Sequence, residues 1–217
     1  MKLILLLLSI IGMSLNAAEK EMPQSAEKGN ADAGSSLVTT CAACHGSDGN
    51  SVNADWPKLA GQNQKYTYEQ LKLFQSGERQ NALMMSVTPY LNTLSDSDLL
   101  NISAFYESNK SSVGQAKNDD ELLKLGMNLY RGGNTEKGVP ACTACHSVYG
   151  NGNALAGFPA VAGQQVGYLT TTLKAYRANE RNAGQYASVM QAVSINLSDD
   201  DIDALANYMH GLYKWKN

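Results

Sequence analysis

The 217 residues allow one large domain or two small ones. A formal net charge of −3, with the acidic excess in the first half, excludes the basic surface that a nucleic-acid partner needs. Four cysteines raise three chemistries at once, disulfide pairing, metal binding and cofactor attachment, and their spacing must choose among them.

Residues 1–18 read as an export signal: Lys2, an apolar run from Leu3 through Ile11, and a small-residue exit at Asn16-Ala17-Ala18. The run falls short of the roughly 20 residues a bilayer core requires, so the expected product is a cleaved, soluble protein in the periplasm. The first domain is expected over 19–108. After a polar lead-in it carries Cys41-Ala42-Ala43-Cys44-His45, then Pro57-Lys58-Leu59-Ala60-Gly61-Gln62. Helical spacing over Tyr66 to Gln75 puts Tyr66, Leu71 and Phe74 near one face. Adjacent Met84 and Met85 follow. Ser95, with acidic residues after it, marks the start of a last helix over Asp96–Ser108.

A stretch rich in Ser, Asn, Lys and Gly then reads as a linker, taken as 109–120. The second domain, 121–217, repeats the pattern after an insertion running from Arg131-Gly132-Gly133-Asn134 to Pro140. It has Cys142-Thr143-Ala144-Cys145-His146, Pro159-Ala160-Val161-Ala162-Gly163-Gln164, a helix over Tyr168–Tyr176, Met190, and a last helix from Ser198 over Asp199–Tyr213. No segment alternates as a strand would, so the fold class is all-α. With an offset of about 102 residues the halves match in order, through Tyr66 and Tyr168, Leu71 and Leu173, Glu78-Arg79 and Glu180-Arg181, and the Leu-Ser-Asp helix starts. A period this long means tandem domains, not a solenoid.

Disulfides or one shared zinc site would leave His45 and His146 unexplained. Haem attachment uses all five positions of each pentad: Cys41 and Cys44, or Cys142 and Cys145, add to the two vinyl groups, and the histidine becomes the proximal iron ligand. Redox dithiols would want a strand context, and none is visible. A buried porphyrin also fills the thin core that a helical unit of this size would otherwise have.

The sixth iron position separates function classes, because an iron held by His and Met is saturated and suits outer-sphere electron transfer. Met190 is the only methionine between the second pentad and the last helix. In the first half the spacing cannot separate Met84 from Met85; one is expected to ligate, with a slight preference for Met84. Met127 and Met209 are expected in the core, and His210 at a solvent-facing or interfacial position.

These residues resemble cytochrome c4, a periplasmic two-domain, two-haem family of class I cytochromes c. The likeness covers essentially the whole mature chain. It is carried by Cys-Ala-Ala-Cys-His-Gly followed by Asp48-Gly49-Asn50-Ser51, by both Pro-x-x-Ala-Gly-Gln stretches, and by Ser112-Val113-Gly114. Arg131-Gly132-Gly133, Val139-Pro140-Ala141-Cys142 and Ala156-Gly157-Phe158-Pro159 add to it. The resemblance implies two tandem cytochrome c-like domains, each enclosing one covalently attached haem, and therefore two haem c groups close across a domain interface. It further implies that the carbonyls of Pro57 and Pro159 accept a hydrogen bond from the proximal imidazoles. It implies single-electron carriage without catalysis, from a quinol-oxidising complex or a dehydrogenase toward a terminal oxidase, with association at the membrane surface. The stretch from Met84 to Leu94 departs from the family by being about three residues longer. Two other readings stand beside this one: a permanently bound electron-transfer subunit of a dehydrogenase or oxidase, and a dihaem peroxidase, which would need one open iron position.

Overall fold

A computed structural model describes residues 28–213; the export signal expected at 1–18 lies outside them. The first half forms α1 (Ala31–Ser35), α2 (Thr39–His45), α3 (Gln64–Gln75), α4 (Ala82–Met85), α5 (Thr88–Leu91) and α6 (Asp96–Ser108). The second forms α7 (Asp120–Gly132), α8 (Thr143–His146), α9 (Val166–Arg177), α10 (Ala187–Ser194) and α11 (Asp199–Gly211). Among the described residues the only β pairing is two isolated bridges, Asn134 with Val139 and Asn153 with Phe158, so the all-α expectation holds.

The two last helices start as their sequences dictate. Ser95 accepts a hydrogen bond from the Asp98 amide while Asp98 accepts one from the Ser95 amide, and Ser198 and Asp201 do the same at α11. Each box satisfies two amides that have no partner inside the helix. The last helix of each half then crosses the first one at a glycine. Gly34 on α1 lies against the Asn101 carbonyl, and Gly126 on α7 lies against the Ala204 carbonyl, so close that neither position has room for a Cβ.

Behind these crossings the second domain has one core, with Leu129, Tyr130, Leu169, Leu173, Leu197, Ile202 and Leu205 buried in it. The first domain's core divides into a cluster around Val38, Ile102 and Tyr106 and another around Phe74, Leu91 and Leu99. Half-buried Leu71 and Leu94 touch both. Met209 is buried as expected, but Met127 is 38% exposed. The inward face of α7 is Gly126, Leu129 and Tyr130, and the residue after Gly126 is turned away from it.

The segment between α6 and α7 has no helix, yet it is tied down. Asn50 of the first domain donates to the Lys110 carbonyl at 3.0 Å and accepts from the Ser112 amide at 2.7 Å. Asn207 of the second accepts from the Lys117 amide at 2.7 Å. Gly114 passes directly over His210, whose Nδ1 meets the Gln164 carbonyl at 2.8 Å. His210 therefore sits under the linker, engaged away from either pentad.

Candidate haem-attachment sites

In the first domain, α2 places Cys41, Cys44 and His45 on one short helix, which stops at Gly46 because the chain there takes φ 82°. In the second, Cys142 is the N-cap of α8, which carries Cys145 and His146 and stops at Ser147 with φ 65° and ψ 165°. Both histidines are buried. His45 Nδ1 lies 2.8 Å from the Pro57 carbonyl oxygen and His146 Nδ1 lies 2.9 Å from that of Pro159. A carbonyl can only accept, so Nδ1 carries the proton and Nε2 keeps its lone pair free for a metal. Burial lowers both imidazole pKa values, only partly opposed by the carbonyl contacts, and keeps the rings neutral, as ligation requires.

The four cysteines form no disulfide. Burial raises the Cys41 thiol and pushes Cys142 up to about 11. A redox dithiol needs the opposite shift, toward thiolate, so the dithiol chemistry weighed from the sequence finds no support here. Among the described residues no group of three or more His, Cys, Asp or Glu side chains is placed to hold a metal ion, which also removes a zinc site.

The surroundings fit a porphyrin. In the first domain half-buried Cys41 packs on one core cluster and half-buried Met84 on the other, and Leu71 and Leu94 join the two. In the second domain Cys142 and Met190 pack on the same cluster, with Val161 and Val166 beside them. Each domain thus has apolar packing that an attachment cysteine and a methionine both border. Leu173 and Leu197, in the cluster that carries Met190, are the repeat counterparts of Leu71 and Leu94, in the cluster that carries Met84. Met85 is 43% exposed.

The domain interface contains residues the sequence left unassigned. Gln164 and Gln62 reach across to the peptide groups that follow Pro57 and Pro159 respectively. Asn63 donates to the Phe158 carbonyl at 2.6 Å and Gln165 to the Ser51 carbonyl at 2.5 Å. Arg181, only 8% exposed, donates to the hydroxyls of Tyr66 at 2.9 Å and Tyr168 at 3.4 Å and to Gln70 at 3.1 Å. Its guanidinium also stacks 4.8 Å from the Tyr176 ring centre. A signal for Gln62, Gln164 and Arg181 was present in the repeat. The glutamine after Ala-Gly and the Glu-Arg pair recur in both halves, at positions with no part in attachment.

Comparison with known proteins places this geometry. The family model "Cytochrome c" matches twice, over residues 31–110 and 133–212. Cytochrome c4 from Stutzerimonas stutzeri is 42% identical over 191 residues, 85% of this chain and 90% of that one. A thiosulfate dehydrogenase electron acceptor from the same species is 34% identical over 170 residues, 77% of this chain and 76% of its own. The crystal structure of reduced recombinant cytochrome c4 from Pseudomonas stutzeri superposes with a TM-score of 0.79, covering 85% of this chain and all of that one.

Proposed function

The chain belongs to the cytochrome c family, in the two-domain form of cytochrome c4, and from that premise we propose how its two halves handle electrons. It is a dihaem electron carrier with two covalently attached haem c groups. Such a group takes up and gives back one electron at its iron without making or breaking a bond to a substrate.

The protein's own residues do the rest. Cys41 and Cys44 hold one haem as thioethers, and Cys142 and Cys145 the other. His45 and His146 would each offer a neutral Nε2 to an iron, the rings being fixed in direction by the bonds to Pro57 and Pro159. Met190 would offer its thioether to the second iron. Met84, half-buried against the Phe74, Leu91 and Leu99 cluster, would do the same for the first, and Met85 beside it is exposed. An imidazole and a thioether from the chain at each iron would leave no place for water or peroxide and would suit electron transfer better than catalysis. The observation that carries this reading is that each domain presents a buried, oriented histidine and a methionine that borders its apolar packing.

The setting is the periplasm, after loss of residues 1–18; no helix among the described residues is long and apolar enough to cross a membrane. Electrons arrive from a quinol-oxidising complex or a dehydrogenase and leave toward a terminal oxidase. The relative that serves as a thiosulfate dehydrogenase electron acceptor favours a dehydrogenase as donor.

A redox titration followed by absorption spectroscopy tests the scheme. The wild type is expected to show two low-spin irons and a thioether-to-iron band from each. Met190→Ala should abolish the band in the second haem and Met84→Ala in the first, while Met85→Ala leaves both. Loss of the band in Met85→Ala reassigns that ligand. A high-spin iron in the wild type with peroxide turnover overturns the carrier reading in favour of a peroxidase.

A further inference from the structure

The Pro57 carbonyl that receives the His45 proton and the Lys58 amide that follows it are the two ends of one planar peptide group. The Lys58 amide donates to Gln164 Oε1 of the other domain at 2.8 Å, and Gln164 Nε2 returns a bond to the Lys58 carbonyl at 2.9 Å. The arrangement is repeated in the opposite sense. His146 Nδ1 meets the Pro159 carbonyl, and the same peptide group's amide, at Ala160, donates to Gln62 Oε1 of the first domain at 2.8 Å. Gln62 Nε2 donates to the Ala160 carbonyl at 2.9 Å.

Neither glutamine is free to turn. Gln164 Oε1 also accepts the Gln165 amide at 2.8 Å, and Gln62 Oε1 accepts the Asn63 amide at 2.9 Å. Both side chains are buried, each with 7% exposure. They line a shared cavity of about 10 Å³ with Lys58 and Ala160, space for about one water.

From this we infer that Gln164 is a positioning residue for the haem of the first domain and Gln62 for the haem of the second, each helping to set the reduction potential across the interface. The inference rests on the haem ligation proposed above. Hydrogen bonds in series polarise one another, so an acceptor on the Lys58 amide makes the Pro57 carbonyl a stronger acceptor for His45. A stronger bond at Nδ1 makes the imidazole a more basic ligand, which favours ferric over ferrous iron and lowers the potential.

The test uses the full-length dihaem protein. Midpoints of the two haems are resolved by redox titration, and the ring resonances of His45 and His146 are followed by paramagnetic NMR. Gln164→Ala should raise the midpoint of the first haem and move the His45 resonances more than those of His146. Gln62→Ala should do the mirror image. Gln164→Glu, which keeps the oxygen that receives the Lys58 amide, should return the first haem to the wild-type midpoint or below, and it serves if the alanine variant folds poorly. A Gln164→Ala variant that moves only the haem of its own domain, or moves neither, overturns the inference. Failure of the ligation scheme would show separately, as a wild-type spectrum without two His/Met irons.

Discussion

The residue that follows each pentad histidine takes a backbone conformation that only glycine adopts without strain, at φ 82° for Gly46 and φ 65° for Ser147. Ser147 is retained at the cost of that strain and accepts the Asn151 amide at 3.0 Å in return. Ser147→Gly is expected to stabilise the second domain by about 1 kcal/mol, the relieved strain exceeding the lost hydrogen bond, as read from a thermal or denaturant midpoint. A second residue-scale prediction concerns Asp201, whose side chain is 4% exposed and receives Lys137 Nζ at 2.6 Å. Burial pushes this carboxyl up, but Lys137 and the Ser198 amide and hydroxyl outweigh it, and its pKa falls below the usual carboxylate value. The associated stability is therefore present above an unfolded pKa of about 3.9 and is lost as pH falls through the lower folded value. Lys137→Met should move the acid unfolding of the second domain to higher pH and cost about 1–2 kcal/mol at neutral pH, the low end because Lys137 is itself 43% exposed. At this scale the attachment residues were legible because covalent chemistry tolerates one spacing only. Which of Met84 and Met85 packs inward was less so, because adjacent methionines differ in face and not in sequence context. Met127 went astray for the same reason: apolar character does not reveal which way a helix is rolled.

Among the elements, the last helix of each half was readable almost to the residue, since Ser95 and Ser198 with their acidic third partners close a cap that has a local sequence signature. Asp96–Ser108 forms as expected, and α11 ends at Gly211, two residues before the expected Tyr213. The short α1, α2, α4, α5 and α8 left no usable periodicity, because four to seven residues make at most two turns and their placement comes from packing. The glycine crossings belong to this scale. A methyl group at Gly126 would enter the Ala204 carbonyl, so Gly126→Ala should push α7 off α11 despite alanine's better helix propensity. The expected loss is about 2 kcal/mol, read as a lower unfolding temperature in calorimetry of the intact protein.

For the whole molecule, tandem organisation was legible from the repeat, whereas the manner of docking was not, since its contacts join residues about 100 positions apart whose side chains are unremarkable in composition. Arg181 illustrates this. It follows α9 in the second domain but hydrogen-bonds Tyr66 and Gln70 on α3 of the first. Arg181→Leu would leave the half-buried Tyr66 hydroxyl without its donor, and is expected to cost about 3 kcal/mol and to split one cooperative unfolding transition into two, as seen by calorimetry. The paired glutamine contacts carry a last consequence. Gln62 grips Ala160 as Gln164 grips Lys58, so the interface is self-complementary, the pattern that two copies of one ancestral subunit make about a twofold axis. Residues 109–119 then act as a tether that raises the local concentration of one half around the other, while the contacts themselves define how they meet. A single proteolytic cut there should leave a noncovalent heterodimer that elutes as one particle and still passes electrons between its halves.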